Sequence, residues 1–383
     1  MNFFDYITEI FPKTINYRLS RLGLVKPEKP ITLTFSVTAA CNSLCKTCQI
    51  GLKFRENPKL KEDDLSIEEI SKIFQSLGHV YFFNISGGEP FLRNDLPQIV
   101  RLACQYLTPK IIHIPTNALL PDKIYEDSKQ ILAIIKECAP KTQFSVKPSI
   151  DGVGQKHDEI RGVQGNFHKL EKTIDLLKGL QEDSPNFHLE LGTVVSKFNL
   201  NDLEEIEDYV HSKNVESYRN EIAEQREEFF NIGDPITPTA EEYKTLMQRF
   251  KDKIRKNIAK KKGLAKTTEA LRLVYYDLAA EIIEEKTQVI PCYAGISNVH
   301  INYNGDVWPC CVLAFSQSLG NLRKNNYDFS KIWYSHKANQ VRKFIKDKNC
   351  ACPLANQAYS NILCHSGSLL KTIINIIRFT FKK

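Results

Sequence analysis

Six short apolar runs alternate with amphipathic helical runs up to residue 222, and this alternation limits the fold more than any other feature of the chain. The runs are candidate β-strands, at 31–37, 80–85, 110–115, 143–150, 188–195 and 215–222. Candidate helices lie between them, at 66–77, 95–106, 123–138, 168–180 and 202–211. Strands that alternate with helices form right-handed βαβ units. The pattern therefore predicts an α/β fold with a parallel sheet.

Three cysteines follow the first candidate strand at close spacing. They are Cys41, Cys45 and Cys48, in the pattern C-x3-C-x2-C. Three thiolates at this spacing can hold three irons of a cubic 4Fe–4S cluster and leave one iron open to a substrate or cofactor. Zinc is the alternative, because thiolates suit zinc as well. Zinc sites usually add a second cysteine pair or a histidine nearby, whereas here the next histidine is His79 and the next cysteine is Cys104.

A glycine-rich turn follows the second candidate strand and reads Ser86-Gly87-Gly88-Glu89-Pro90. Alone it would be an ordinary strand-to-helix turn. Together, the cysteine pattern after a first strand and G-G-E-P after a second resemble the radical S-adenosylmethionine (radical SAM) superfamily, over roughly residues 33–222. The resemblance implies that the open iron binds the amino and carboxylate groups of S-adenosylmethionine. It also implies that glycine backbone approaches the methionine part, beside Pro90, and that Glu89 accepts from the ammonium group.

The same resemblance implies the fold class, an α/β partial (β/α)6 TIM-like barrel with a helical linker and a small C-terminal cysteine-rich auxiliary-cluster domain. In such barrels chemistry lies at the carboxyl ends of the strands. Further cofactor contacts are implied there, by Thr47 through its backbone and by the side chains of Asn117, Ser149, Asp151 and Arg219. Asp151 also fits a simple turn, and Arg219 a surface salt-bridge set. The sequence assigns no catalytic residue.

Six more cysteines lie in the C-terminal region: Cys292, Cys310, Cys311, Cys350, Cys352 and Cys364. Between the first two, Asn304-Gly305 is a two-residue hairpin signal, and a hairpin would bring their flanks together. The region resembles a SPASM auxiliary-cluster domain in the shortened Twitch form, with one 4Fe–4S cluster. The implied ligands are Cys292, Cys310, Cys350 and Cys352. Cys364 or Cys311 can replace either of the last two, and a zinc knot is the alternative for the whole region.

Composition and charge limit the cellular compartment and the partners that we expect for the chain. Eleven cysteines without a signal peptide argue against a secreted disulfide scaffold. Much of the net charge of +7 lies in 251–266, where few aromatics are available to stack on bases, so we favour a solvated helix face over a nucleic-acid site. No apolar stretch approaches the roughly 20 residues that span a bilayer. We expect a cytoplasmic protein.

The C-terminal segment 369–383 is amphipathic, and one face of its helix carries Leu370, Ile373, Ile374 and Ile377. The opposite face carries Lys371, Asn375, Arg378 and Lys382. Such a helix either rests on a membrane surface or packs against its own barrel. Peripheral membrane contact is therefore left open.

These features divide the chain into five segments. They are an N-terminal amphipathic extension (1–30), a core barrel (31–235), a helical linker (236–288), a SPASM/Twitch-like domain (289–366) and a C-terminal amphipathic basic helix (367–383). Since only some 30 residues precede the first strand, too few for an extra folded domain, a small-molecule substrate is favoured over a peptide.

The function implied by the resemblance is reductive cleavage of S-adenosylmethionine to a 5′-deoxyadenosyl radical, which abstracts hydrogen from a substrate carbon. The auxiliary cluster would assist the redox steps. The implied partners are S-adenosylmethionine, a flavodoxin- or ferredoxin-type electron donor, and a small-molecule or peptide substrate. Two other functions remain open, a nucleic-acid-modifying radical SAM enzyme and a non-catalytic iron–sulfur electron carrier. A carrier would have no use for the turn from Gly87 to Pro90.

Overall fold

The computed structural model describes residues 6–215, 217–261 and 263–381. Its internal contacts divide the chain into two units. The barrel unit consists of Ile31–Thr237 and Val299–Ala338. The helical unit consists of Met1–Pro30, Pro238–Asn298 and Asn339–Lys383. The five segments predicted from the sequence remain a prediction.

Six parallel strands form the centre of the barrel unit. They are β1 (Thr32–Ser36), β2 (Phe82–Ser86), β3 (Ile111–Thr116), β4 (Gln143–Pro148), β5 (Phe187–Val195) and β6 (Ser217–Ile222). Their order in space equals their order in the chain, and three short strands continue the sheet beyond β1. These are β7 (Asn298–Ile301), β8 (Asp306–Trp308) and β9 (Gly320–Asn321). The predicted fold class, a partial (β/α)6 barrel followed by a small cysteine-rich region, is confirmed.

Fourteen α-helices are described, and the five predicted between the strands are among them. They are α1 (Phe11–Leu22), α2 (Ile50–Glu56), α3 (Ile67–Leu77), α4 (Leu96–Leu102), α5 (Pro121–Cys138), α6 (Gln155–Arg161), α7 (Asn166–Asp183), α8 (Leu203–Ser212), α9 (Ala240–Asn257), α10 (Gly263–Glu285), α11 (Phe329–Trp333), α12 (His336–Lys346), α13 (Ala355–Cys364) and α14 (Ser366–Phe381). The short helices α2 and α6 were not predicted, because seven residues are too few to show a helical period. Within the described ranges, each helix is too short or too polar to cross a bilayer.

Alternation along the strands separates an apolar, helix-covered face of the sheet from a polar inner face. Phe35 of β1 and Phe83 of β2 place their ring centroids 5.8 and 5.5 Å from that of Phe74 in α3, so these positions face the helices. The alternate positions form the inner face, and strand register aligns them across the sheet. Polar or charged residues there are Ser36, Asn84, His113, Ser145, Lys147, Glu190, Arg219 and Glu221.

The basic stretch 251–266 lies on α9 and α10 of the helical unit. Lys251 pairs with Asp277, Arg255 with Asp252 (2.8 Å), and Lys261 with Glu269 (2.9 Å). Lys262, which belongs to the same stretch, lies outside the described residues. Arg255 and Asp252 are both exposed, whereas Lys251 and Glu269 are largely buried in their pairs, so the solvated helix face stays a prediction.

The hairpin between β7 and β8 has a longer loop than its Asn304-Gly305 pair predicted. Asn302 N–H donates to the Asp306 carbonyl (2.8 Å), which leaves a three-residue loop, Tyr303 to Gly305. Gly305 takes the left-handed position, with φ of +87°. A three-residue loop of this kind is the next commonest hairpin after the two-residue turn. The two-residue prediction was therefore wrong in length.

Candidate functional site

The three cysteines of the C-x3-C-x2-C pattern lie in one loop between β1 and α2. Cys41, Cys45 and Cys48 are half-buried free thiols. Cys48 N–H donates to the Cys45 carbonyl (3.2 Å), and Ser43 Oγ lies 3.2 Å from Cys45 Sγ. All three thiols therefore project from a single turn-rich stretch of backbone, called here the cysteine loop (residues 41–48).

The end of α6 holds the first half of the cysteine loop. Leu44 N–H donates to the Arg161 carbonyl (3.1 Å), and Lys46 N–H donates to the Ile160 carbonyl (2.9 Å). The Ser43 hydroxyl donates to the Arg161 carbonyl as well (2.9 Å). The last carbonyls of a helix find no N–H donor within the helix. The loop satisfies them, so the position of α6 sets the position of the cysteines.

The segment after β6 holds the second half of the loop. Gln49 N–H donates to the Phe229 carbonyl (2.9 Å). The Asn231 side chain, fully buried, donates to the carbonyls of Thr47 (2.8 Å) and Glu224 (3.3 Å). The predicted adenine contact of Thr47 stays a prediction. Sequence reasoning missed Asn231, because 184 residues separate it from Thr47 and no local pattern marks it.

The glycine turn lies directly against the start of the cysteine loop. Gly87 has φ of +116°, and a Cβ at this position would lie 2.7 Å from the Thr38 carbonyl oxygen. A Cβ at Gly88 would lie 2.1 Å from the Ala40 carbonyl oxygen. Only glycine permits this backbone contact. The two glycines therefore bring two segments of the chain together, and their predicted approach to the methionine part of S-adenosylmethionine stays a prediction.

Glu89 and Asn117 join the ends of β2 and β3 to the cysteine loop. Glu89 is 2% exposed and accepts from the Thr116 hydroxyl (2.9 Å), the Asn117 N–H (2.7 Å) and the Phe91 N–H (3.2 Å). Burial, opposed by these hydrogen bonds, raises the pKa of Glu89 to about 7. The Asn117 side chain donates to Asn42 in the cysteine loop (2.7 Å). The ligand contacts predicted for Glu89 and Asn117 stay predictions.

Two further predicted contacts, Pro90 and Ser149, follow β2 and β4 in the chain. Pro90 begins a short 3₁₀ turn, Pro90–Leu92, that closes the glycine turn. Ser149 is half-buried, and its N–H donates to the Thr116 carbonyl (3.0 Å). Both residues therefore lie beside the carboxyl ends of β2 to β4, and their predicted contacts with the cofactor remain predictions.

Asp151 holds an arginine at the cysteine loop. Its side chain is buried and accepts from Arg161 Nη1 (3.0 Å) and from the Val194 N–H (2.9 Å). Arg161 Nε is also buried, and no described residue accepts from it. Burial opposes the charge of Arg161, but the nearby Cys45, Asp151 and Cys41 raise its pKa. Arg161 is therefore a fixed cation with one unused donor among the described residues.

The cysteine loop has the donors that an iron–sulfur cluster requires. Burial, and next the neighbouring Cys45, raise the pKa of Cys41 to about 12, and burial raises the pKa of Cys48 well above its usual value. Thiolates are the form that binds metal, so these thiols need a cationic group to release their protons. No three described His, Cys, Asp or Glu side chains converge on a single metal ion. A 4Fe–4S cluster does not need such convergence, because each cysteine binds a different iron. The residues fit a cluster.

Charged side chains of β6 form ion pairs with β4 and β5 on the inner face. Arg219 donates to Glu190 (2.6 Å), and Lys147 donates to Glu221 (3.1 Å) and thereby lowers the pKa of Glu221. Arg219 Nε and Glu190 Oε2 are buried without a hydrogen-bond partner among the residues described. Arg219 keeps one unused donor, so its predicted contact with the cofactor carboxylate stays a prediction.

A cavity of about 350 Å³ lies beside the glycine turn. Gly87, Gly88 and Ser36 line it. The aromatic wall of the cavity consists of Phe230, Tyr303, Trp308 and Phe315. Phe230 and Phe315 are 44% and 49% exposed and stack at 5.3 Å between ring centroids, so the wall extends to the solvent. The cavity, called here the aromatic pocket, can take an apolar or planar group.

Three buried polar residues, Ser36, Glu228 and His300, form a hydrogen-bonded group beside the aromatic pocket. The Ser36 hydroxyl donates to Glu228 (3.0 Å) and lies 2.7 Å from His300 Nε2. Glu228 lies 3.4 Å from the same ring nitrogen, whereas a nucleophilic relay needs the carboxylate on the other nitrogen. Burial lowers the pKa of His300, and the neutral ring lies 4.9 Å from that of Trp308. The group therefore positions the pocket wall, and sequence reasoning missed it because its members are 192 and 264 residues apart.

Two of the predicted auxiliary-cluster ligands lie near each other in the helical unit. The Gln288 side chain donates to the Cys350 carbonyl (3.0 Å) and lies 3.6 Å from Cys350 Sγ. Burial, and next the Cys292 thiol, raise the pKa of Cys350 to about 11. The Cys292 carbonyl accepts from Arg21 (3.0 Å). The structure thus groups Cys292 and Cys350.

The other C-terminal cysteines are placed as follows. Cys352 is half-buried in the helical unit, and Cys364 is buried there, with its carbonyl accepting from Arg18 (2.6 Å). Cys310, half-buried, and Cys311, buried, belong to the barrel unit. The choice among these cysteines as cluster ligands stays a prediction.

Two protein families match this chain. Residues 35–210 match the radical SAM superfamily. Residues 292–353 match SPASM, an iron–sulfur cluster-binding domain. The second range begins at Cys292 and ends one residue after Cys352, so Cys364 lies outside it.

Curated relatives resemble most of the chain. The antilisterial bacteriocin subtilosin biosynthesis protein AlbA of Bacillus subtilis is 24% identical over 85% of this chain. The AdoMet-dependent heme synthase of Oleidesulfovibrio alaskensis is 24% identical over 82% of it. The matches cover 66% and 76% of these two relatives, so the chain spans about two thirds to three quarters of their length.

Solved structures resemble the chain in fold. Streptococcus suis SuiB bound to the precursor peptide SuiA has a TM-score of 0.58 and 17% identity, over 87% of this chain and 70% of that one. The anSMEcpe structure with bound AdoMet has a TM-score of 0.56 and 14% identity, over 92% of this chain and 97% of that one.

Proposed function

We propose that this chain, which belongs to the radical SAM superfamily and carries a C-terminal SPASM domain, is an enzyme that cleaves S-adenosylmethionine reductively to a 5′-deoxyadenosyl radical and uses it to take hydrogen from a substrate carbon. The family matches confirm the predicted resemblance, and with it 4Fe–4S clusters and S-adenosylmethionine as cofactors. One observation carries the proposal, the cysteine loop held in contact with the backbone of the glycine turn.

Different residues of the chain would bind the cluster and S-adenosylmethionine. Cys41, Cys45 and Cys48 would hold three irons, and the bound cluster supplies the electron that breaks a carbon–sulfur bond of S-adenosylmethionine. Arg161 and Arg219 each keep a buried Nε without a partner in the described chain, and a guanidinium suits a carboxylate. These two cations are the candidates for the carboxylate of the methionine part.

The aromatic pocket would hold the part of the substrate next to the reacting carbon. Its glycine side belongs to the turn that faces the cysteine loop, and its aromatic side opens to solvent. We propose a peptide as substrate, entering with an apolar or planar side chain. SuiB binds a precursor peptide, and AlbA is a bacteriocin biosynthesis protein, which supports the peptide. The heme synthase supports a small molecule as the second candidate.

The electron would come from a flavodoxin- or ferredoxin-type protein, and the auxiliary cluster would assist the redox steps. Nucleic acid remains a poor candidate substrate, because Lys251, Arg255 and Lys261 of the basic stretch form ion pairs. A cytoplasmic location and contact with a membrane surface remain proposals.

Replacing all three loop cysteines by alanine tests the cleavage reaction. The Cys41→Ala/Cys45→Ala/Cys48→Ala variant should form no 5′-deoxyadenosine after anoxic reconstitution, and should keep only the iron of the auxiliary cluster. Cys138→Ala is the matched control, because Cys138 is exposed on α5 and belongs to neither cysteine group. Undiminished 5′-deoxyadenosine formation by the triple variant would refute the proposal.

A second substitution separates substrate binding from cleavage. Phe230→Ala/Phe315→Ala should leave the slow cleavage of S-adenosylmethionine without substrate unchanged, and should weaken its stimulation by a peptide substrate about tenfold. Both rings are partly exposed, so their loss should not unfold the barrel unit. If the peptide stimulated cleavage equally in wild type and variant, the aromatic pocket would not be the substrate-binding site.

A further inference from the structure

The last helix of the described chain, α14, is bound to the helical unit by one of its faces only. Ser368, Thr372 and Phe379 on that face are buried. Phe379 packs in a cluster with Ile258, Ala270 and Leu273. His365 Nδ1 lies 2.9 Å from the Ser368 hydroxyl at the start of the helix. These contacts fix which side of α14 turns away from the unit.

The side turned away is apolar. Leu370, Ile373, Ile374 and Ile377 are 57%, 41%, 51% and 52% exposed. Their spacing of three and four residues places them in one stripe, about 10 Å long at 1.5 Å per residue. The stripe is the face that the sequence predicted for either a membrane or the barrel, and all four of its side chains are exposed. Soluble helices usually place polar residues on such a face.

A second apolar surface of the same unit lies on and after α1. Phe11, Ile15, Leu22, Leu24 and Val25 are 41–69% exposed. Arg18 of α1 donates to the Cys364 carbonyl at the end of α13 (2.6 Å), two residues before α14 begins. The unit therefore exposes large apolar side chains on two helices that are connected through α13.

The segment that carries the stripe has charges of one sign. Residues 351–383 contain no Asp or Glu and four Lys or Arg residues, whereas on the α1 side Lys13 lies close to Glu28 and Glu9. Arg18 and Arg21 are engaged by backbone carbonyls, whereas Lys26, Lys371 and Arg378 are exposed. Lys382 and Lys383 lie outside the described residues. An apolar stripe flanked by exposed cations complements an anionic, amphipathic surface.

We propose that the helical unit binds the surface of an anionic membrane, with α14 lying in the interface and its stripe of Leu370, Ile373, Ile374 and Ile377 in the lipid. The exposed Lys371 and Arg378 contact the lipid headgroups. No described helix is long and apolar enough to cross a bilayer, so the contact is peripheral. The enzyme would then act on a substrate at, or delivered to, that surface.

Vesicle sedimentation with the full-length, anoxically reconstituted protein tests this proposal. Vesicles of phosphatidylcholine with phosphatidylglycerol should bind the wild type at least tenfold more strongly than vesicles of phosphatidylcholine alone, and high salt should reduce the difference. Ile373→Glu/Ile377→Glu should lower binding to the anionic vesicles at least tenfold. Ile232→Glu is the matched control, because Ile232 is equally apolar and 60% exposed but lies in the barrel unit.

Both variants should keep the circular dichroism spectrum and melting temperature of the wild type, because all three isoleucines are exposed. Lys371→Glu/Arg378→Glu keeps the stripe and reverses its charges, and should remove the preference for anionic vesicles. Wild-type protein that binds neither vesicle, or an Ile373→Glu/Ile377→Glu variant that binds as wild type does, would overturn the proposal. A dimer that only this variant abolishes, without vesicle binding, would assign the stripe to a second copy of the chain instead.

Discussion

Replacing Gly88 by alanine tests whether the glycine turn must touch the cysteine loop. A Cβ at this position would lie 2.1 Å from the Ala40 carbonyl oxygen and 2.5 Å from its carbonyl carbon. Side-chain carbons do not approach closer than 3.0 Å, so the turn or the loop would have to move by about an ångström. The atoms met are backbone, which cannot rotate away as a side chain can.

The expected cost follows from this displacement. Overpacking in a well-packed region costs about 1–3 kcal/mol, and about 1 Å of misplacement at a reacting centre costs about 100-fold in rate. We expect Gly88→Ala to fold with a melting temperature lowered by roughly 2–10 °C. Formation of 5′-deoxyadenosine should fall by at least about 100-fold.

The control for this substitution is Gly179→Ala in α7. No atom lies within 4 Å of a Cβ there, so alanine meets no obstacle and should stabilise the helix by about 0.5–1 kcal/mol. Melting temperature, iron and sulfide content, and 5′-deoxyadenosine would be measured anoxically for both variants. A Gly88→Ala variant that keeps the wild-type rate would refute the reasoning that the turn and loop must touch.

Three further predictions concern His157, Glu69 and Asn231. Burial lowers the pKa of His157 to about 4, so the contribution of the neutral ring to stability is complete above pH 6.5 and is lost as the pH falls towards 4. In His157→Gln, the free energy of unfolding by urea should therefore fall by up to about 3 kcal/mol less than in wild type between these pH values. A variant whose free energy of unfolding depends on pH as that of wild type does would contradict this prediction. The Arg323 guanidinium lowers the pKa of Glu69 to about 2, so that stability is present above pH 4.5 and is lost as the pH falls towards 2. Allowing for solvent screening, Glu69→Gln should cost about 1–2 kcal/mol at pH 7 and nothing at pH 2, and an equal cost at both pH values would count against the ion pair. Asn231→Ala leaves the buried carbonyls of Thr47 and Glu224 without their donor, so the cysteine loop should release iron faster to a chelator, and wild-type retention would show that Asn231 does not hold the loop.

The strands could be predicted from the sequence because their helix-covered face is apolar at every second position. Phe35 and Phe83, which contact Phe74 of α3, belong to the runs that mark β1 and β2. The cysteine loop and the glycine turn could be recognised because their residues are close in the chain and their spacing is imposed by the chemistry.

The supports of the site could not be predicted, because they join residues that are distant in the chain. Asn231 reaches Thr47 across 184 residues, and Ser36 meets His300 across 264. Helix α6 was missed because its seven residues show no periodicity, although its last carbonyls hold the cysteine loop. The hairpin after β7 was predicted in kind but not in length, since the Asn302–Asp306 hydrogen bond decides how many residues the loop contains.

The most direct test is electron paramagnetic resonance of the reduced, anoxically reconstituted protein before and after addition of S-adenosylmethionine, with iron, zinc and sulfide measured on the same sample. We expect about eight irons and eight sulfides per chain, and a signal from one cluster that changes on addition in wild type but is absent in the Cys41→Ala/Cys45→Ala/Cys48→Ala variant. Zinc in place of inorganic sulfide, or a spectrum that S-adenosylmethionine leaves unchanged, would contradict the claim that the cysteine loop holds a cluster with one open iron.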